Sequence, residues 1–110
     1  LAGRALTLSE RLSESLRKMQ GRFEQIGDVR GRGSMIGVEF ITDEASKKPA
    51  AELVGRIIGK SLSKGLVVMR AGLYGNIIRF LYPLTITDEQ FDAGIGILEQ
   101  AIAESISEGC

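Results

Sequence analysis

Histidine is absent from this chain, and cysteine occurs once, as Cys110. Those two gaps remove the commonest general base and the commonest metal ligand. Zinc centres and Ser-His or Cys-His nucleophile systems therefore cannot be assembled from these residues. A lone cysteine forms no internal disulfide, which points to a reducing, cytoplasmic compartment. An excess of charge of one sign is lacking as well, because 14 lysines and arginines balance 14 aspartates and glutamates. Polyanion binders and membrane-surface domains rely on positive excess, so neither nucleic acid nor a membrane is expected as a partner. No apolar run approaches the ~20 residues of a membrane span, and the start shows no secretory pattern. The chain opens on Leu1 instead of methionine, as expected of a piece of something longer.

The 110 residues are enough for one domain, 1–110, with a real core. Residues 4–20 contain no glycine or proline, and Leu8, Leu12, Leu16, Met19 and Phe23 recur at helical spacing up to a stop at Gly21. A short strand beginning near Ile26 and a longer one over 34–41 follow, the second with Ile36, Val38 and Phe40 on one face. Gly27, Gly31 and Gly33 mark a turn or bulge between them, and 42–48 is a polar loop. Pro49 is suited to open a second helix with an apolar stripe of Leu53, Val54, Ile57, Ile58 and Leu62, closed by Lys64-Gly65. Leu66 to Met69 reads as a buried strand, 71–76 as a turn, and Ile77 to Leu81 as the last strand. Thr87-Asp88-Glu89-Gln90 has the form of a capping box and opens a final helix facing inward with Phe91, Ile95, Leu98, Ile102 and Ile106. Gly94 and Gly96 inside it each cost about 1 kcal/mol relative to alanine, so close packing against another backbone is expected there. The economical assembly is an α+β fold, in which a small, mostly antiparallel sheet of about four strands is covered by three helices.

Few residues carry chemistry. Arg30-Gly31-Arg32-Gly33 is a single arginine-glycine element in a neutral chain without stacking aromatics, and reads as a backbone turn. Lys18, Lys47, Lys48, Lys60 and Lys64 fall on polar faces or in loops, whereas a Schiff-base lysine requires desolvation. Arg79 stands apart, since it sits within Ile77-Ile78-Arg79-Phe80-Leu81 with no other charge beside it. A guanidinium in such a run needs an anionic partner if it is buried. Either Glu39, which interrupts the earlier strand, pairs with it across the sheet, or a ligand carboxylate does.

Three segments together carry a family resemblance. Val29-Arg30-Gly31-Arg32-Gly33-Ser34-Met35-Ile36-Gly37-Val38-Glu39 is similar to a glycine-rich segment of class III pyridoxal-phosphate aminotransferases. Lys64-Gly65-Leu66 resembles a second, and Gly75-Asn76-Ile77-Ile78-Arg79-Phe80 with Pro83-Leu84 a third. The ending Thr87 to Leu98 is most like the 4-aminobutyrate branch, while Ala71-Gly72 departs from the cysteine-glycine pair expected there. The resemblance implies the C-terminal small domain of a longer enzyme that transfers an amino group from 4-aminobutyrate to 2-oxoglutarate. It further implies that pyridoxal phosphate is held by the enzyme's own large domain, in a homodimer or larger assembly. None of that cofactor and no activity is expected of this piece alone. By the same resemblance Arg79 receives a substrate carboxylate, or a large-domain glutamate when the substrate offers none, and Gly75 and Asn76 form the turn that presents it. The alternative is a stand-alone module for a small carboxylate, or a structural interaction domain.

Overall fold

The computed structural model of the chain describes residues 2–31, 36–80, 82–83 and 85–108. Its elements follow the expected order: α1 (Ala2–Arg22), β1 (Ile26–Arg30), β2 (Gly37–Phe40), α2 (Ala51–Ser63), β3 (Met69–Ala71), β4 (Ile77–Arg79) and α3 (Asp88–Glu108). The strands form one antiparallel sheet in the order β1-β2-β4-β3, so the fold is the α+β arrangement expected. Residues 34 and 35 of the expected second strand, the 32–33 part of the arginine-glycine turn, Leu81 and Leu84 lie outside the described residues.

Side chains along a strand alternate between faces, and the register sorts this sheet into rows. Val29, Val38 and Ile78 stand in one cross-strand row and are buried. Over them pack Leu8 and Leu16 of α1, Val54 and Ile57 of α2, and Leu98 and Ile102 of α3. Each such side chain contributes about 1.5–3 kcal/mol by leaving water. The neighbouring row, Arg30, Gly37, Arg79 and Met69, falls on the other face, which no helix covers among the described residues.

A charged seam joins the two long helices. Arg4 donates to the Asp88 carboxylate (2.7 Å) and to the Ile86 carbonyl (2.7 Å). Arg11 reaches Asp88 (3.0 Å) and Asp92, and its guanidinium lies 5.0 Å from the Phe91 ring centre. Arg22 meets Glu99 at 2.8 Å. The capping box forms as expected, with the Gln90 N–H on the Thr87 hydroxyl and the Thr87 N–H on the Gln90 side chain, both at 3.0 Å. Asp88 and Glu89 then place negative charge at the positive end of α3.

Several details differ from the sequence reading. Helix α1 runs through Gly21 to Arg22. Pro49 lies ahead of α2, bridged to Ile41, and the helix starts at Ala51. In α2 it is Ser61 that is buried, while Leu62 is 61% exposed, because the inward face turns one residue earlier at the helix end. The apolar run Leu66 to Met69 is not the strand. β3 starts at Met69, and Val67 and Met69 are exposed on this edge. No atom outside its own helix comes within 4 Å of a side-chain carbon placed at Gly96, and Gly94 has only an ordinary contact, 3.6 Å, with Leu66. The close packing expected at these two glycines is therefore absent among the described residues. Gly65, by contrast, takes the left-handed φ of +92° expected of a helix stop.

These features give three expectations for the 110-residue chain. Gly96→Ala should raise stability by about 1 kcal/mol in urea unfolding, since only helix propensity changes there. The hydroxyls of Ser61 and Ser105 are fully buried with no hydrogen-bond partner among the described residues. Replacing either by alanine removes an unsatisfied polar group and should stabilise by about 1 kcal/mol, and a loss of that size would contradict the assignment. Hydrogen bonding and charge from Arg4, then charge from Arg11, hold the Asp88 carboxyl below its ordinary 3.8. A depressed folded pKa gives stability that is present above the ordinary value and fades as pH falls through the folded one. Asp88→Asn should therefore be less stable near neutrality by a small, salt-screened amount, and its urea midpoint should fall less between about pH 4 and pH 2.

Candidate functional site

Arg79 is the last residue of β4, an inner strand held by β2 on one side and β3 on the other. The alternation that buries Ile78 turns Arg79 to the open face, where it is exposed. Across the ladder its neighbours are Gly37 and Met69. Gly37 has no side chain, and a carbon added there would sit 3.3 Å from Ile77, so the surface beside the guanidinium stays low.

The cross-strand pair offered as one resolution for Arg79 does not form. Glu39 stands opposite Ile77 and not Arg79. Its carboxylate meets Arg30 at 3.3 Å, and Arg30 also lies 3.5 Å from Asp28. The two arginines of this face thus differ. Arg30 is neutralised by two carboxylates, whereas Arg79 has neither an ion pair nor a side-chain hydrogen bond among the described residues. Its energetic problem is solved by exposure, and none of its five N–H donors is engaged by a side chain among the described residues.

The turn before β4 contains both residues expected to form it. Gly72 and Gly75 have φ of +86° and +65°, a region that side chains rarely adopt, and the Gly75 N–H closes the turn on the Gly72 carbonyl at 3.2 Å. Asn76 is buried. Its amide donates to the Phe40 carbonyl (3.0 Å), and its own carbonyl accepts the Phe40 N–H (2.8 Å). That exchange fixes the start of β4 against the end of β2. Leu73 and Tyr74 project from the turn, Leu73 being 90% exposed.

Other candidate groups do not converge on chemistry. Lys18, Lys47 and Lys48 are exposed, while Lys60 and Lys64 are occupied by Glu108 and Glu104. No cluster of three metal-ligating side chains occurs, and no helix is long and apolar enough to cross a membrane, among the described residues. A recess of about 90 Å³ lined by Leu12, Leu66, Val68, Tyr82, Phe91 and Gly94 brings in no charged group. The Tyr82 hydroxyl is buried there without a hydrogen-bond partner among the described residues, and burial pushes its pKa up. One polar residue was missed by sequence reasoning. Arg70 reaches back from β3 to the turn and to α2, through contacts that only the folded chain makes visible.

Comparison with known proteins bears on the same segments. The model of the family described as aminotransferase class III matches residues 1–102. A 5-aminovalerate aminotransferase of Pseudomonas aeruginosa is 43% identical over 104 residues, 94% of this chain and 24% of that protein. A 4-aminobutyrate aminotransferase of Escherichia coli is 37% identical over 105 residues, 96% of this chain and 25% of its own length. The chain thus spans about a quarter of the length of these relatives. Among solved structures, the PMP-bound form of an aminotransferase from Vibrio fluvialis superposes with a TM-score of 0.82 at 28% identity, covering 97% of this chain and 24% of that one. Matched along nearly all of its sequence and sharing this fold, the chain belongs to the class III aminotransferase family.

Proposed function

We propose that this chain is the C-terminal small domain of a pyridoxal-phosphate enzyme that moves an amino group from 4-aminobutyrate to 2-oxoglutarate, and that Arg79 receives the substrate carboxylate. The observation that carries this reading is a guanidinium with no ion pair among the described residues, on a low, open sheet face that also carries an arginine paired with two carboxylates. Planar donors in a fork suit a carboxylate in bidentate fashion, and a carboxylate held this way sets where the neighbouring amine-bearing carbon lies. The relatives named for 4-aminobutyrate and 5-aminovalerate support an ω-amino acid as donor.

In the exchange the donor's CH–NH2 becomes C=O, and the carbonyl of 2-oxoglutarate becomes the CH–NH2 of glutamate. Pyridoxal phosphate supplies the electron sink for such chemistry. The lysines of this chain do not suit its attachment, being exposed or held by Glu104 and Glu108. Under the proposal the anchor lies in the enzyme's large domain, which covers the open face within a cytoplasmic homodimer or larger assembly. Glutamate bears a carboxylate beside its amine, and 4-aminobutyrate does not. Arg79 accordingly grips the first and turns to a large-domain glutamate for the second.

Arg79→Ala in the full-length enzyme separates the two halves of the reaction. The glutamate half-reaction should lose about 100-fold or more in kcat/KM, and the 4-aminobutyrate half at least about tenfold less. Equal losses in single-turnover measurements would overturn the assignment. Comparing kcat/KM for 4-aminobutyrate and 5-aminovalerate in the unaltered enzyme decides between these donors.

A further inference from the structure

Arg70 lies next to Arg79's cross-strand neighbour Met69, but on the helix side of the sheet, opposite Ile78. Its Nη1 donates to the Gly75 carbonyl at 2.7 Å and to the Ala51 carbonyl, in the first turn of α2, at 3.2 Å. Two glycines make room for it. A side-chain carbon at Gly55, inside α2, would sit 3.0 Å from Nη2, and one at Gly75 would sit 3.1 Å from Nη1. Glycine inside a helix costs about 1 kcal/mol relative to alanine, and here that position accommodates a guanidinium.

The location matters because β3 is an edge strand of three residues, paired among the described residues to β4 alone. Arg70 ties this hairpin and its turn to α2, independently of the sheet. From Gly75 the chain passes directly into Asn76 and then into the strand that ends at Arg79. We infer that Arg70 is a positioning residue for substrate binding, acting through the Gly72–Gly75 turn to hold Arg79 at its working position. The role of Arg79 in this statement rests on the carboxylate reading above. Arg70 itself points away from the open face, so it touches no substrate there.

Arg70→Met, which keeps a long side chain without donors, and Arg70→Lys, which keeps the charge without the fork, test this in the full-length enzyme. The Met variant should lose about tenfold to 100-fold in kcat/KM for the glutamate half-reaction, with a smaller loss for 4-aminobutyrate, and the Lys variant should recover part of it. In an Arg79→Ala background, Arg70→Met should cause no further loss, because both changes act on one interaction. Full additivity, or equal losses in both half-reactions, would overturn the positioning role. Hydrogen exchange gives a readout that does not depend on the substrate. The Gly75 N–H should exchange faster in Arg70→Met, and unchanged exchange there sinks the inference. Should Arg79→Ala leave the glutamate half-reaction intact, it is the carboxylate reading that fails, and the exchange measurement still decides whether Arg70 holds the turn.

Discussion

Strand β4 is three residues long and paired on both edges, so the alternation of its side chains is imposed by the ladder. Once Ile78 is placed in the core, Ile77 and Arg79 must face the other way. A slip of one residue would bury a guanidinium among Val38, Phe40 and the helices, at a desolvation penalty of several kcal/mol. The core therefore determines the register, and the register determines which face carries charge. The remaining polar features follow from that orientation. Glu39 is drawn to Arg30 and Gly37 leaves a low floor, while the Gly72–Gly75 turn and Asn76 set where the strand begins.

Periodicity made the element order readable. Leu8, Leu12, Leu16 and Met19 repeat at helical spacing, Ile36, Val38 and Phe40 alternate, and Thr87 and Gln90 spell a cap that forms reciprocally. What failed was whatever depended on neighbours. Leu66 to Met69 resembles a strand buried on both faces, but a one-sided sheet has no use for four inward residues in succession, and β3 became a short edge. Pro49 was suited to a first helical turn, yet its bridge to Ile41 keeps it extended and delays α2. Gly94 and Gly96 suggested a close backbone neighbour that the described residues do not supply.

The site was legible only in part, for a related reason. A charge in an apolar run marks a residue whose orientation must be solved, and this singled out Arg79. Whether Glu39 was its partner depended on a register offset of two residues, which pattern cannot give. Arg70 left no trace in the pattern at all. Its partners are the carbonyls of Ala51 and Gly75, its space comes from Gly55 and Gly75, and hydrogen bonds to main-chain carbonyls leave no mark in side-chain types.

Under the proposed function, Arg79 serves two substrates, one with a carboxylate beside the amine and one without, and has to exchange partners at every turnover. A buried, permanently paired guanidinium resists that, because breaking such a pair costs about 3–5 kcal/mol. A fully solvated one exchanges freely, but gains little from each carboxylate it meets, since exposed ion pairs contribute only about 0–1 kcal/mol. An intermediate arrangement meets both demands: a guanidinium left unpaired by its own domain, carried on a rigid strand, and dehydrated only when a second surface closes over it. Among the described residues, the open sheet face provides the first two conditions. The third follows, under the proposed function, from the large domain, so affinity for the carboxylate arises when the two parts meet and is not stored in either one.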